Sequence, residues 1–221
     1  ISRATLQAIF KHNFKNPMWG HFNHFRTFAL QDESALLMCT FPRGRRPKRP
    51  FPYYNEVMTG FEHIAAAGML YEGLTQEGLT CIEAIRARYD GRRRSPFNEA
   101  ECGHHYARAM ASWTAVLALT GFQYDATKRA MEFAASKKPV TWFWSNGSAW
   151  GTFEQKSASR GVSFKLTVLH GQITLDELTI AGAGTTTWPD GSTISAGQSV
   201  TQTIGGKAKT TGAGRTKKVI A

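Results

Sequence analysis

A chain of 221 residues is long enough for one medium-sized domain, or for one domain with a small added module. Hydrophobic residues make up 42% and aromatic residues 12%, which allows a buried core and excludes global disorder. The formal net charge of +11 makes nucleic acid a candidate partner. No apolar run approaches the roughly 20 residues that a membrane-spanning helix needs, which excludes such a helix.

The first residue, Ile1, is preceded by no initiator Met and followed by no signal-peptide pattern, so we expect the chain to be cut from a longer one. The three cysteines, Cys39, Cys81 and Cys102, lie far apart in apolar or helical stretches. No two of them have metal-ligand spacing, which favours buried, reduced thiols. This cysteine usage indicates a reducing compartment, and we expect the cytoplasm.

Helical periodicity dominates the first part of the chain. The apolar residues Leu6, Ile9 and Phe10 predict a helix over residues 2–13, capped by Ser2. A short strand is predicted over residues 35–41, before a loop rich in proline and arginine. Helices over 59–72 and 76–89, joined at Gly73, predict a helical hairpin. A long helix over 101–120 and an amphipathic one over 126–136 complete this part.

Composition changes near residue 139, after which Gly, Thr, Ser, Val and Ile alternate and helix formers become scarce. An Asn146-Gly147 turn predicts a hairpin, and a Pro189-Asp190-Gly191 turn precedes the last strands. The predicted strands are 141–144, 150–155, 162–169, 172–180 and 192–203. We therefore predict a helical part over 1–138, a small β-sandwich-like module over 139–204 and a mobile basic tail over 205–221.

The aromatic residues of this module have two interpretations. They either stack on sugars in a binding module or pack within a hairpin, and packing is the commoner use of cross-strand aromatic pairs. The residues concerned are Trp142, Trp144, Trp150 and Phe153.

Positive charge falls into three separate clusters, at residues 43–49, 92–94 and 207–218. The first two lie in loops broken by Gly or Pro, where solvated arginines and phosphate contacts are both open. No zinc-finger spacing, RNP-type aromatic strand or basic zipper accompanies them. We therefore expect no nucleic-acid partner and keep a basic nucleic-acid-binding module as an alternative.

The densest group of chemically useful residues lies between 90 and 108. Glu99, Glu101, His104, His105 and Arg108 stand beside or inside the start of a helix that later becomes apolar. Charged groups on such a helix are costly unless they are paired or used. Glu99 can meet Arg108 in one pocket if it precedes the helix, although a structural ion-pair network explains such a group equally well.

A second run, residues 51–62, places Glu56 among aromatic residues just before a helix start. Such an acid either stabilises the helix dipole or grips sugar hydroxyls beside rings that stack on the sugar. His21 and His24 have loose metal-ligand spacing but no third ligand nearby, so we predict no metal site.

These runs resemble glycoside hydrolase family 116, the group of the non-lysosomal glucosylceramidase. Residues 55–62 (NEVMTGFE) are similar to that family's N/E-E-V-W-T-G-x-E segment. Residues 72–91 follow its E-G-L to R-x-R-Y-D-G run, and residues 95–113 (SPFNEAECGHHYARAMASW) are similar to its N-P-W-N-E-x-E-C-G-x-H-Y-A-R motif. The resemblance covers about residues 2–125.

The resemblance implies a mainly α fold, with residues 1–138 forming the C-terminal part of an (α/α)6 toroid of helical hairpins. It implies a retaining β-glycosidase whose catalytic Glu and Asp lie upstream of this segment, so we expect no catalytic residue here and no activity from the segment alone. Glu99 and Arg108 match the residues that hydrogen-bond glucose in the −1 subsite. Glu56, Met58, Thr59 and His105 are expected to line the site.

Met58 and Phe97 stand where the family has tryptophan, which alters ring stacking and leaves β-glucosidase, β-xylosidase and β-N-acetylglucosaminidase specificities open. The expected partner is a carbohydrate or glycoconjugate substrate, with neither cofactor nor metal. A carbohydrate-binding protein without catalysis is the principal alternative.

Overall fold

The computed structural model describes residues 1–23, 26–99, 101–104 and 108–205, without the side chains of residues 101, 102, 108 and 109. The chain divides into two compact units, Ile1–Leu119 and Thr120–Ala221. The predicted boundary, after residue 138, comes later in the chain than this division, because strands that precede residue 138 belong to the sheets of the second unit. The predicted tail beyond Gly205 lies outside the described residues.

The first unit contains most of the helical structure. Its elements are α1 (Ser2–Asn13), β1 (Phe14–Lys15), β2 (Ala35–Leu36), α2 (Thr59–Tyr71), α3 (Thr75–Arg88), two 3-10 helices (Glu101–His104 and Arg108–Ser112) and α4 (Trp113–Thr120). The helix predicted over residues 2–13 is confirmed, but Ser2 does not cap it. Its hydroxyl instead donates a hydrogen bond to Glu72 Oε1, at 2.6 Å.

The predicted helical hairpin is confirmed as α2 and α3. Gly73 adopts a φ of 72° between them, a conformation that costs little only for glycine. The backbone N–H of Leu74 bonds the carbonyl of Met69 at 2.7 Å, and that of Gly73 bonds Leu70 at 3.1 Å. These two bonds form a Schellman motif, which satisfies the last carbonyls of α2. A core of Leu36, Ala66, Met69, Leu74 and Cys81 holds the hairpin against β2.

The second unit consists of two four-stranded sheets that share one core. Its strands are β3 (Gln123–Asp125), β4 (Ala130–Ala134), β5 (Val140–Ser145), β6 (Trp150–Ala158), β7 (Gly161–His170), β8 (Gln172–Ala181), β9 (Gly184–Ser195) and β10 (Ser199–Ile204). The sheet orders are β10-β7-β6-β5 and β3-β4-β8-β9, with β4 and β8 parallel. Phe133 of β4 stacks on Phe153 of β6 with ring centroids 3.8 Å apart, which joins the two sheets.

The predicted hairpin at Asn146-Gly147 is confirmed between β5 and β6. The Asn146 side-chain carbonyl accepts the backbone N–H of Ala149 at 2.8 Å, and Gly147 has a φ of 88°. By contrast, the predicted turn at residues 189–191 lies inside β9. The register there skips from Thr187 opposite Glu177 to Ser192 opposite Leu175, so the turn residues form a bulge within the strand.

The mainly α toroid is wrong. The described residues hold four α-helices, with 27% of residues helical and 34% in strands over three sheets, so the fold is mixed and rich in sheet. The segment predicted as a helix over 126–136 contains β4, where Met131 and Phe133 point into the core and their neighbours are only partly covered. In the range 101–120, predicted as one helix, the described residues form two 3-10 helices and an α-helix of eight residues.

Candidate functional site

A cavity of about 570 Å³ lies in the first unit, bounded by the start of α2, the end of α3 and the loop before the first 3-10 helix. Cavities of about 300–1,000 Å³ are typical of small-molecule sites. Its lining residues are Thr59, His63, Ile82, Ile85, Arg86, Ala87, Tyr89, Asp90, Pro96, Glu99 and Ser112. We call this space the Glu99 cavity.

Glu99 lies in the wall of this cavity and is 5% exposed. The Thr59 hydroxyl, in the first turn of α2, donates a hydrogen bond to Glu99 Oε2 at 2.7 Å. The two residues come from the two separate runs that the sequence analysis singled out, 40 positions apart. The Thr59 donor orients the carboxylate, and because an ionised carboxylate offers about four lone-pair sites, it can also accept hydrogen bonds from a ligand's hydroxyl groups.

Two further residues predicted to contact the sugar, Arg108 and His105, have side chains outside the described part of the structure. The backbone of Arg108 begins the second 3-10 helix, which brings Ser112 to the cavity. The expected meeting of Glu99 and Arg108 therefore stays a prediction.

Glu56 and Met58 are buried, at 0% and 6% exposure, and among the described residues neither lines the Glu99 cavity. Glu56 Oε2 instead pairs with Arg26 Nη2 at 2.9 Å. The guanidinium of Arg26 also lies over the Tyr53 ring, 4.9 Å from its centroid. The Glu56 carboxylate thus anchors the segment before α2. Phe97, at the other departure from the family pattern, is 97% exposed.

His63 is a cavity residue that the sequence analysis missed. It stands four positions after Thr59 on α2, so the two side chains share a helix face. The available signal was a histidine in a helix whose other buried positions are mostly apolar. Burial, followed by the nearby charge of Arg88, lowers the pKa of His63 to about 4. Its imidazole is therefore neutral at physiological pH.

A buried ion pair links α2 and α3, the two helices that line the cavity. Arg88 Nη2 of α3 bonds Glu62 Oε2 of α2, and both side chains are 1% exposed. Glu62 Oε1 also accepts the backbone N–H of Leu36 in β2 at 2.8 Å, while Arg88 Nη1 donates to the Ser34 carbonyl. Burial raises the pKa of Glu62, against the opposing effect of the Arg88 charge. This network fixes the cavity's two helices to each other and to β2.

Tyr89 and Asp90 close the cavity at the end of α3. Burial raises the pKa of the Tyr89 hydroxyl, which therefore stays protonated at neutral pH and can donate a hydrogen bond. Asp90 Oδ1 accepts the backbone N–H groups of Arg93 at 2.8 Å and Arg92 at 2.9 Å. These bonds hold the pKa of Asp90 below its ordinary value. Asp90 is therefore an ionised acceptor that shapes the loop.

Two arginines of the second basic cluster are paired with acids. The guanidinium of Arg93 binds both oxygens of Asp32, at 2.6 and 3.1 Å, and Arg94 Nη2 donates to Glu33 Oε2 at 3.1 Å. Hydrogen bonding from Arg93 lowers the pKa of Asp32. This cluster therefore ties the loop after α3 to the segment before β2.

The aromatic residues of the second unit are mainly structural. Trp144 and Phe153 are 1% and 0% exposed in the core, and Trp142 stacks on Phe153 with centroids 6.3 Å apart. Trp150 is 41% exposed and stacks on His170 with centroids 5.9 Å apart. The packing interpretation is confirmed for Trp144 and Phe153.

Comparison with protein-family models and with curated proteins yields no match for this chain. The described residues include no group of three or more His, Cys, Asp and Glu side chains arranged to hold a metal ion. Within the same residues, every helix is too short or too polar to cross a membrane.

Proposed function

We propose that this chain is part of a retaining β-glycosidase and that it binds the sugar substrate at the Glu99 cavity. The observation that carries the proposal is the meeting of Thr59 and Glu99, from two distant motifs, at one cavity of about 570 Å³. The proposal rests on this site and on the motif resemblance, and it does not require a toroid.

The chemistry of the cavity suits a neutral polyhydroxyl ligand. The Glu99 carboxylate can only accept hydrogen bonds, and it is held by Thr59 in one orientation. A sugar hydroxyl that donates to Glu99 therefore fixes the ring, which is how binding energy orients a substrate for reaction. The apolar residues Ile82, Ile85 and Pro96 supply a wall for the C–H face of the ring.

The proposal assigns no catalytic carboxylate to this chain. Retaining hydrolysis needs a nucleophile and a proton donor about 5 Å apart, and the donor must be protonated at working pH. Asp90, the second acid among the described lining residues, is held ionised by two backbone N–H groups, which suits neither proton donation nor strong nucleophilicity. We therefore expect the two catalytic groups to come from elsewhere in a longer protein.

The arginine pairs weigh against the nucleic-acid alternative. A phosphate-binding surface needs guanidinium groups that can pair with phosphates and so displace the counterions of the nucleic acid, whereas Arg93 and Arg94 are engaged by Asp32 and Glu33. A ligand-sized cavity with a fixed carboxylate favours an uncharged sugar.

Calorimetric titration of the chain with methyl β-D-glucopyranoside tests this proposal. We expect saturable binding by the wild type and at least tenfold weaker binding by Glu99→Gln, because the amide cannot offer two acceptor oxygens. The control is Glu83→Gln, an exposed acid on α3 outside the Glu99 cavity. Absence of binding by the wild type, or equal binding by Glu99→Gln, would overturn the proposal.

A further inference from the structure

A buried polar atom in the wall of the Glu99 cavity has no hydrogen-bond partner among the described residues. That atom is Nδ1 of His63, whose side chain is 5% exposed and lines the cavity. Leaving such an atom unpaired is unfavourable, so nearly all buried polar groups are paired with protein, water or a ligand. The hydrogen bonding of this imidazole is therefore incomplete, and the ring forms part of the cavity wall, where a bound molecule can contact it.

The surroundings of His63 determine what kind of molecule this is. Thr59, one turn earlier on α2, already donates its hydroxyl to Glu99, and the Glu62 carboxylate is taken by Arg88. Arg88 also disfavours a positive charge on the imidazole, which burial keeps neutral. A neutral imidazole presents one donor nitrogen and one acceptor nitrogen. Its natural partner is a hydroxyl group, which can serve either one.

A carboxylate and a neutral imidazole in one cavity wall suit two hydroxyl groups of one ring. The carboxylate accepts a hydrogen bond from the first hydroxyl, and the imidazole donates one to the second hydroxyl or accepts one from it. An anionic ligand would meet the two carboxylates of Glu99 and Asp90 against the one guanidinium of Arg86 among the described lining residues, and an aliphatic ligand would offer the imidazole no hydrogen bond. The donor and acceptor set therefore favours a neutral polyol over either of these.

We propose that His63 determines ligand specificity in the Glu99 cavity. Its imidazole forms a hydrogen bond with one hydroxyl of a neutral sugar, while another hydroxyl of the same sugar donates to Glu99. This inference rests on the proposed function and adds to it a contact that the motif resemblance did not supply. A sugar lacking that hydroxyl would leave the nitrogen unpaired and bind more weakly.

Nitrogen NMR of the full chain, labelled with ¹⁵N-histidine, tests the inference directly. The probe is methyl β-D-glucopyranoside, and the His63 ring resonances are assigned by their loss in His63→Gln. We expect the His63 ring nitrogens to shift in a saturable way, with the same Kd as calorimetry gives. His63→Phe should bind at least tenfold more weakly, whereas His63→Asn, whose amide reaches the Nδ1 position, should lose less.

The outcomes separate the two proposals. If the wild type binds the glucoside and Glu99→Gln weakens it, but the His63 ring resonances do not move and His63→Phe keeps the wild-type Kd, the role of His63 is overturned and the proposed function stands. If the wild type does not bind the glucoside, both are overturned. Once His63→Gln has assigned the His63 signals, the wild-type NMR titration decides the question even where His63→Phe or His63→Asn does not fold.

Discussion

At the scale of single residues, the first unit depends on a buried charge pair. Glu62 and Arg88 are each 1% exposed, and their remaining hydrogen bonds go to the backbone of Leu36 and Ser34. Removing one partner of such a pair leaves an uncompensated buried charge. Sequence patterns did not identify this pair, because an acid and an arginine 26 positions apart give no local signal.

Arg88→Met should therefore lower the free energy of unfolding by about 3–5 kcal/mol. The double variant Glu62→Leu/Arg88→Met should lose much less, because it buries no lone carboxylate. Urea denaturation of both variants gives the comparison, with Arg86→Met on the exposed side of α3 as the control. Equal losses in the single and double variants would show that lost side-chain packing, and not the unpaired charge, controls stability.

The lowered pKa of His63 predicts how stability depends on pH. The unfolded chain binds a proton near pH 6.5 and the folded chain only near pH 4, so stability is complete above about 6.5 and falls as pH decreases through this window. We expect His63 to contribute a loss of about 2 kcal/mol between pH 7.5 and pH 5. His63→Gln should remove that component from urea titrations, with His12→Gln as the control for losing an imidazole.

Cysteine reactivity should follow burial. Burial raises the pKa of Cys81 to about 12, and its side chain is inaccessible, whereas Cys39 is only partly buried. Because the thiolate is the reacting form, a maleimide at pH 7.5 should label Cys39 rapidly and Cys81 only after unfolding. Peptide mass mapping checks this, and rapid native labelling of Cys81 would contradict the packing of α3 on α2.

At the scale of elements, the sequence predicted structure correctly where the apolar spacing and the intrinsic propensities of the residues favoured the same element. Helix α1 matches its predicted bounds, and the hairpin of α2 and α3 follows from the apolar spacing and Gly73. Strand β4 was missed because Ala130, Met131, Glu132 and Ala134 are good helix formers. Burial of Met131 and Phe133 between two sheets outweighs that propensity, and parallel pairing with the distant β8 has no local signature.

Two helical glycines should respond oppositely to alanine. A Cβ at Gly78 would lie 2.9 Å from the Ala66 carbonyl oxygen and from Leu70 Cγ, so Gly78→Ala must separate α3 from α2. At Gly68 the nearest atom is Leu6 Cδ2 at 3.4 Å, which tolerates a methyl group. We expect Gly68→Ala to stabilise the chain by up to about 1 kcal/mol and Gly78→Ala to destabilise it. Thermal melts of both variants test the pair, and a higher Tm for Gly78→Ala would contradict the close approach.

At the scale of the whole molecule, the chain carries two separate cores. The second unit has its own sheet-to-sheet core around Phe133, Phe153 and Leu166. The sequence showed the change in composition but placed it near residue 139, because β3 and β4 precede the alternating region. The candidate site could be predicted in part: Glu99 and Thr59 came from motifs, whereas His63 and the cavity itself depend on how α2 meets α3.

Residues 120–205 expressed alone should therefore fold cooperatively and show near-UV circular dichroism from the buried Trp144. Gly151→Ala is the matched disruptive variant, because a Cβ there would lie 1.9 Å from the Thr167 carbonyl oxygen. A non-cooperative melt of the wild-type fragment would show that its core is insufficient alone.

A crystal structure of the chain with methyl β-D-glucopyranoside shows whether a neutral sugar binds at the Glu99 cavity. We expect the sugar in that cavity, with one hydroxyl within hydrogen-bonding distance of Glu99 and another beside the His63 ring. A sugar stacked instead on the exposed ring of Trp150, with the Glu99 cavity empty, would overturn the proposed function and favour a binding surface on the second unit.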